Sequence, residues 1–125
     1  MAKPGDTGLT RVIKAARYSW QGFRAAWNHE SAFRQECTLG LIMLPLAFLV
    51  GQSMFQVALL IAVLAVVLIT ELLNSAVEAV VDRVGHEHHD LAGQAKDMGS
   101  AAVFVSLALV VTVWTMVVIK NFFMT

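Results

Sequence analysis

The sequence predicts an all-α membrane protein, with an N-terminal amphipathic helix at the membrane interface followed by three transmembrane helices. Hydrophobic residues make up 58% of the 125 residues. Only 14% are charged, whereas about a quarter of a soluble domain is charged. The charged residues are concentrated in two segments that long uncharged runs separate. At this length the chain is predicted to form one membrane domain, residues 1–125.

The N-terminal segment predicts a helix that lies along the membrane surface. Over residues 7–28 the apolar residues recur at the three- and four-residue spacing of one helix face. Residues 1–28 also contain five Lys or Arg and one Asp. A basic face opposite an apolar face with two Trp residues is typical of an interfacial helix. The alternative is a surface helix packed on a soluble core, which this composition does not provide.

Three apolar stretches predict the spans. Residues 37–50 are uncharged but shorter than the roughly 20 residues that a bilayer needs, so the first span is predicted over 30–50. The second is predicted over 53–84, with its last part extending into the cytoplasm. The third is predicted over 96–120, because residues 98–119 carry no charge.

The positive charges predict the orientation in the membrane, because Lys and Arg are retained in cytoplasmic segments. The basic N-terminal helix is one such segment. The second connection, residues 83–97, contains Arg83 and Lys96, whereas the first connection, residues 50–56, contains no charge. We therefore expect the N-terminus and the second connection in the cytoplasm. Lys120, near the opposite end of the third span, is a mild exception.

A polar stripe at the end of the second span is the strongest functional indication. The stretch ELLNSAVEAVVD occupies residues 71–82. At 3.6 residues per turn its three acidic residues, one amide and one hydroxyl fall on one helix face. A carboxylate at the bilayer centre costs about 2.5–3.5 kcal/mol. The stripe therefore predicts cation binding, proton transfer or both, and its members are Glu71, Asn74, Ser75, Glu78 and Asp82.

These acidic residues suit phosphate chemistry at a membrane. Glu30 is predicted at the depth of Glu78, and two carboxylates from different helices suit Mg²⁺, which takes one or two carboxylates plus phosphates and water. Glu71 is predicted to lie deeper, where it suits a general base for a lipid hydroxyl. Lys96, beside Asp97, is placed to meet an anionic phosphate. From spacing alone, a buried polar network that only fixes helix packing is an equal alternative.

Several other kinds of site are excluded or disfavoured. The sequence contains no GxxxxGK[ST], GxGxxG, HRD, DFG or HExxH motif, so nucleotide chemistry here needs an unrelated site. In the stretch HEHH at residues 86–89, His86 and His89 are interpreted as part of a polar turn at the headgroup level, with a metal site as the alternative. One cysteine, Cys37, excludes an intrachain disulfide. The absence of a uniform basic patch argues against nucleic acid as a partner.

Three stretches closely resemble the prokaryotic diacylglycerol kinase family. They are ELLNSAVEAVVDRVG at residues 71–85, AKDMGSAAV at 95–103 and TRVIKAARYSWQGFRAAWNHESAFRQE at 10–36. The resemblance covers nearly the whole chain and is least distinctive over 37–56. It implies a small homotrimeric kinase of the bacterial inner membrane, which transfers the γ-phosphate of Mg·ATP to diacylglycerol and gives phosphatidic acid.

The resemblance also implies roles for individual residues. Glu71 would be the catalytic base, Asn74 would orient the hydroxyl or the phosphate, and Mg²⁺ would bind Glu30 and Glu78. The implied ATP contacts are Arg11, Tyr18, Glu30, Glu78, Glu87, His88, His89, Lys96 and Asp97. The implied lipid contacts are Arg11, Ala15, Ala16, Arg17, Tyr18, Ser19, Trp20, Arg24, Ser31, Ala32, Phe33, Arg34, Gln35, Glu71, Met98, Gly99 and Ser100. The family's sites lie between neighbouring protomers.

The chain departs from the family pattern in the second connection. Glu87, His88, His89 and Asp90 stand where EYHE is common, and Gln94 stands where a basic residue is frequent. A His ring can still stack on adenine as an aromatic group. These changes bear on nucleotide affinity and leave the predicted catalytic and metal positions intact.

Three alternative functions compete with a diacylglycerol kinase. An undecaprenol kinase would use the same site on a polyprenyl alcohol. A small cation channel or transporter would line a pore with Glu71, Glu78 and Asp82. A pore does not account for the basic interfacial helix or for acidic residues confined to one end of the span. A purely structural subunit would leave several costly carboxylates without a role.

Overall fold

The part of the chain that the structure describes forms four consecutive α-helices. The structure is a computed structural model that describes residues 3–85 and 89–124. In chain order the helices are α1 (Gly8–His29), α2 (Ser31–Val50), α3 (Met54–Val84) and α4 (Asp90–Phe122). The described residues contain no β-strand. The prediction of an all-α chain is therefore confirmed.

Helices α2, α3 and α4 are each long and apolar enough to cross a membrane. The prediction of three spans is confirmed. The 31 residues of α3 give it a length of about 46 Å at 1.5 Å per residue. A hydrocarbon core is about 30 Å thick, so α3 is longer than the span alone requires. The extra length accommodates the polar stripe at its C-terminal end.

A single residue, Glu30, separates α1 from α2. Its backbone is extended, with φ −120° and ψ 107°. The Glu30 backbone N–H donates to the Ala26 carbonyl oxygen at 2.9 Å, and the Glu30 carbonyl oxygen accepts from the Arg34 N–H at 3.2 Å. The Arg34 guanidinium donates to the Trp27 carbonyl oxygen at 2.6 Å. These bonds hold the backbone of Glu30 in place between the two helices.

The connection between α2 and α3 is only three residues long, 51–53. The Ser53 hydroxyl oxygen caps α3 by accepting from the Gln56 N–H at 3.1 Å. The Gly51 N–H donates to the Ala47 carbonyl oxygen at 3.0 Å. A Cβ atom at Gly51 would lie 2.7 Å from a Val57 methyl group. Glycine is therefore required here by close packing rather than by an unusual backbone angle.

The core lies where α2, α3 and α4 meet. Ala47 and Leu60 are fully buried and Val117 is 8% exposed. The Trp114 indole N–H donates to the Leu60 carbonyl oxygen at 3.3 Å. Among the described helices, α3 packs most extensively against α4. These two helices form the central pair of the fold.

An amide cluster fastens the same three helices near the connection between α2 and α3. The Asn121 amide nitrogen donates to the Val50 carbonyl oxygen and to Gln56 Oε1, each at 2.8 Å. The Gln52 backbone N–H donates to the same Gln56 oxygen at 2.9 Å. One polar side chain of α4 thus ties together the end of α2 and the start of α3.

Candidate active site

The polar stripe of α3 is divided among three neighbours. Glu71 lies near the carboxylates of Glu36, on α2, and Glu30, between α1 and α2. Asn74 contacts α4. Asp82 forms an ion pair with α4. Ser75 lines an open groove between α1 and α3. Residues that share one face of a helix therefore belong to different local environments.

Glu71 is the only buried charged side chain in the described part of the molecule, at 5% exposure. The carboxylates of Glu36, Glu30 and Glu78 all lie within electrostatic range of it. Charged carboxylates so close together repel one another strongly in a medium of low dielectric constant. The arrangement therefore favours a bound cation or a transferable proton.

Glu36 also belongs to this acidic cluster, and the sequence pattern predicts no role for it. It is half-buried on α2. Phe33, three residues earlier and on the same face of α2, is 2% exposed. A large apolar residue at this spacing is the signal that places Glu36 on the inward side of the helix.

A positive charge, that of Lys96, lies within electrostatic range of one member of the cluster, Glu78. The Lys96 ammonium nitrogen is 2.8 Å from a carboxylate oxygen of Asp82. Glu78 is half-buried and lies within electrostatic range of both Lys96 and Glu71. Lys96, the predicted phosphate contact, and Glu78, the predicted metal ligand of α3, are therefore neighbours.

The donor set fits Mg²⁺ that arrives with phosphate groups. Within residues 3–85 and 89–124, no three His, Cys, Asp or Glu side chains converge on a ready-made metal site. Glu30 and Glu78 provide two carboxylates from separate elements. This number and type of ligand is what Mg²⁺ takes from a protein when phosphates and water complete its shell.

Asn74 lies at the contact between α3 and α4. Its side-chain oxygen is buried and has no hydrogen-bond partner among the described residues. Its amide lies directly against Gly99 of α4. One turn before Asn74, the Thr70 hydroxyl donates to the Ser106 hydroxyl at 3.0 Å. The side chain beside the buried carboxylate is thus placed by helix packing.

The predicted nucleotide contacts that the structure describes lie on α1, α3 and α4 and at the capping residues Glu30 and His89. Glu87 and His88 lie outside the described residues. His89 caps α4, its Nδ1 accepting from the Leu91 N–H at 3.1 Å. In the described part of the chain α1 contacts α2 and α3 but not α4. One copy therefore does not bring the α1 residues together with the α4 residues; these are Arg11 and Tyr18 on α1, and Lys96 and Asp97 on α4.

Several predicted lipid contacts border two grooves beside α1. Ser19 and Glu30 line a groove of about 580 Å³ against α3. Trp20, Arg24 and Phe33 line a groove of about 480 Å³ that Cys37 also borders. The other predicted lipid contacts of α1 and α2 outside these grooves are Arg11, Ala15, Ala16, Arg17, Tyr18, Ser31, Ala32 and Gln35, which are exposed, and Arg34, which is half-exposed. Met98 and Ser100 are exposed on α4, and Gly99 is half-buried.

Comparison with known proteins identifies the family. The model of the family described as prokaryotic diacylglycerol kinase matches residues 17–118. The chain belongs to the prokaryotic diacylglycerol kinase family. The matched residues include the whole of α2 and α3 and most of α4, so the family assignment covers the complete acidic cluster.

Individual members of the family are similar over almost their full length. A diacylglycerol kinase of Haemophilus influenzae is 50% identical over 108 residues, which cover 86% of this chain and 92% of that protein. One from Escherichia coli K12 is 49% identical over 116 residues, or 93% and 95% of the two chains. One from Pseudomonas aeruginosa is 50% identical over 115 residues, or 92% and 94%. With its three apolar helices, this member of the family is a multi-pass bacterial membrane protein.

Proposed function

We propose that the protein is an ATP-dependent lipid kinase that phosphorylates the free hydroxyl group of diacylglycerol and releases phosphatidic acid and ADP. The observation that carries this proposal is the buried carboxylate of Glu71, which faces further carboxylates. One of these, Glu78, also lies within electrostatic range of the Lys96 ammonium group. The relatives named diacylglycerol kinase, which are 49–50% identical to this chain, support the same activity.

Glu71 serves as the general base. It accepts the hydroxyl proton while the lipid oxygen forms a bond to the γ-phosphorus, and the bond from that phosphorus to the bridging oxygen of ADP breaks. Asn74 lies one turn further along α3 and orients the hydroxyl or the phosphate. The lipid keeps its acyl chains in the bilayer, so only its headgroup has to reach the carboxylate.

Phosphoryl transfer is accelerated chiefly by positioning and by neutralisation of charge. Glu30 and Glu78 would hold Mg²⁺, which neutralises charge on the phosphate oxygens when it is bound. Lys96 supplies a second positive charge from α4. The acidic cluster of α2 and α3 and the basic residue of α4 thus have complementary tasks.

We further propose that the nucleotide site is completed between copies of a homotrimer. The proposed ATP contacts on α1 and on α4 belong to helices that do not approach each other within the described part of one chain. Large apolar side chains are exposed on α4, such as Phe104 at 73% exposure, and are available for contact with another copy or with lipid. The basic N-terminal helix favours the cytoplasmic side of the inner membrane for the site.

The test measures phosphate transfer from labelled ATP in mixed micelles, with diacylglycerol and undecaprenol offered in parallel. We expect phosphatidic acid to form in the presence of Mg²⁺ and to disappear with a chelator. Glu71→Gln should lower the rate at least about 100-fold, since a general base contributes 10²–10⁴-fold. Asp6→Asn, in the N-terminal segment, removes a carboxylate elsewhere and should retain the wild-type rate.

The same assay separates the alternatives. Polyprenyl phosphate as the main product would preserve the proposed site and change its substrate. No transfer to either lipid by a folded protein, together with cation flux into liposomes, would favour the pore. A wild-type rate in Glu71→Gln would remove Glu71 from the role of base.

A further inference from the structure

Gly99 of α4 makes an unusual contact with the candidate site. A Cβ atom added at Gly99 would overlap the side-chain oxygen of Asn74 and would lie 3.1 Å from its Cγ atom. The three atoms nearest to that Cβ position all belong to Asn74. The space that the absent side chain leaves at position 99 is therefore filled by one residue, and that residue lies one turn from Glu71.

Packing rather than hydrogen bonding places the Asn74 oxygen. The oxygen is buried and has no donor among the described residues, and a buried acceptor without a donor is costly. The fold tolerates the cost of this unpaired oxygen because other contacts hold α4 against α3 on both sides of Asn74. Thr70 bonds to Ser106 on one side, and Asp82 pairs with Lys96 on the other.

We infer that Gly99 is a positioning residue for the reaction. Because Gly99 has no side chain, the Asn74 amide can lie directly against α4. This contact sets the direction of the amide relative to the carboxylate of Glu71. The inference rests on the proposed role of Asn74. It assigns to Gly99 an action through Asn74, which is distinct from direct contact with the lipid.

The effect of a side chain at position 99 should be confined to Asn74. Gly99 lies inside α4 and its φ is not in the left-handed region, so alanine is compatible with the backbone. The overlapping atoms are the far end of a side chain, which can rotate away. Gly99→Ala should therefore leave the helices folded and turn the Asn74 amide out of position.

The test is a double-mutant cycle on kcat and on the KM for ATP, with Gly99→Ala, Asn74→Ala and the double variant. Gly99→Ala should lower kcat at least about ten-fold and change KM less than about two-fold, since displacement by 1 Å can cost about 100-fold. In the Asn74→Ala background, Gly99→Ala should have no further effect. Gly93→Ala is the matched control, because a Cβ there, on the same helix, meets no atom within 4 Å.

The cycle distinguishes failure of this inference from failure of the proposed function. If Asn74→Ala lowers kcat but Gly99→Ala lowers it by the same factor in both backgrounds, the inference is overturned and the role of Asn74 stands. If Asn74→Ala leaves kcat unchanged, the proposed role of Asn74 and the inference about Gly99 are both overturned. If Gly99→Ala is too unstable for kinetics, the melting temperatures of the single and double variants provide the test. The inference predicts that adding Asn74→Ala to Gly99→Ala raises the melting temperature towards the wild-type value. A double variant as unstable as Gly99→Ala would overturn the inference.

Discussion

The Lys96 ammonium group and the Asp82 carboxylate lie 2.8 Å apart and join α4 to the C-terminal end of α3. The two side chains are 46% and 52% exposed. Exposed ion pairs contribute only about 0.2–1 kcal/mol to stability, so this pair matters chiefly for where it holds the lysine. Lys96 is therefore positioned beside Glu78 before a nucleotide arrives.

Replacing Asp82 tests this positioning. Asp82→Asn removes the charge that holds Lys96, which is then free to adopt other rotamers and must be ordered when ATP binds. We expect the KM for ATP to rise several-fold at saturating lipid while kcat changes little. The free energy of unfolding should fall by less than about 1 kcal/mol. Initial rates over an ATP titration measure the first effect.

A variant that lacks the Lys96 ammonium group provides the control for Asp82→Asn. Lys96→Met should impair ATP use more strongly than Asp82→Asn, because it removes the positive charge itself. Adding Asp82→Asn to Lys96→Met should change KM no further. If the two changes act independently, Asp82 influences ATP binding by some route other than Lys96.

The hydroxyl pair of Thr70 and Ser106 should contribute measurably to stability. Ser106 is 2% exposed. Its hydroxyl accepts from the Thr70 hydroxyl at 3.0 Å and donates to the Val103 carbonyl oxygen at 2.7 Å. Ser106→Ala should lower the free energy of unfolding in detergent by about 0.5–1.5 kcal/mol, as found for hydrogen bonds between membrane helices. Thr112→Val is the control, since the exposed Thr112 hydroxyl bonds only within α4 to the Ala108 carbonyl oxygen. An equal loss in both variants would contradict a role for the interhelical bond.

Gly51 should not tolerate a side chain. A Cβ there would lie 2.7 Å from a Val57 methyl group and 3.0 Å from the Ala47 carbonyl oxygen. Gly51→Ala should therefore destabilise the protein by about 1–3 kcal/mol, the usual cost of overpacking. Gly40→Ala, in a position with no atom within 4 Å, should be neutral or stabilising by up to about 1 kcal/mol. Melting temperatures in micelles compare the two, and a stable Gly51→Ala would show that the connection can relax.

The N-terminal segment contains a carboxylate with a predictable titration. Asp6 accepts hydrogen bonds from the Lys14 ammonium group and the Lys3 backbone N–H, each at 2.8 Å. The bond from Lys14, followed by that from Lys3, holds the pKa of Asp6 below its ordinary value of 3.8. The stabilisation is therefore present above pH 3.8 and is lost as the pH falls through the lowered pKa.

Carbon NMR of the Asp6 carboxyl group measures that titration. The midpoint should lie below 3.8 in the wild type and return towards it in Lys14→Met. Arg17→Met, on the same helix, leaves the Asp6 hydrogen bonds in place and should leave the midpoint unchanged. A wild-type midpoint at the ordinary value would show that the ion pair does not form in solution.

The helices and the burial of Glu71 were predictable from the sequence because both follow from the hydrophobic pattern. The uncharged runs gave the three apolar spans, and the cost of a carboxylate in an apolar helix singled out Glu71. The contact of Asn74 with Gly99 was not predictable. Helical spacing shows which residues share a face, whereas the partner of each residue depends on which helix packs there.

The role of Glu36 was not predictable from the sequence for the same reason. It was visible as a charge beside an apolar run, but its approach to Glu71 depends on how α2 crosses α3. The roles of Glu30 and Glu78 as metal ligands remain predictions. The nucleotide contacts on α1 and α4 could not be brought together from one chain, because these helices do not meet within its described part.

The amide cluster around Asn121 fixes one end of α2, so a small tilt of the helix there produces a larger displacement at its other end. The helix is anchored at Val50 by the Asn121 side chain and by a three-residue connection. Glu36 lies 14 residues away, which is about 21 Å along the axis at 1.5 Å per residue. A tilt of only about 5° at the anchored end would therefore move the Glu36 backbone by about 2 Å relative to α3. Small angular changes at the Val50 end of α2 would therefore change the distance between the Glu36 and Glu71 carboxylates near its other end.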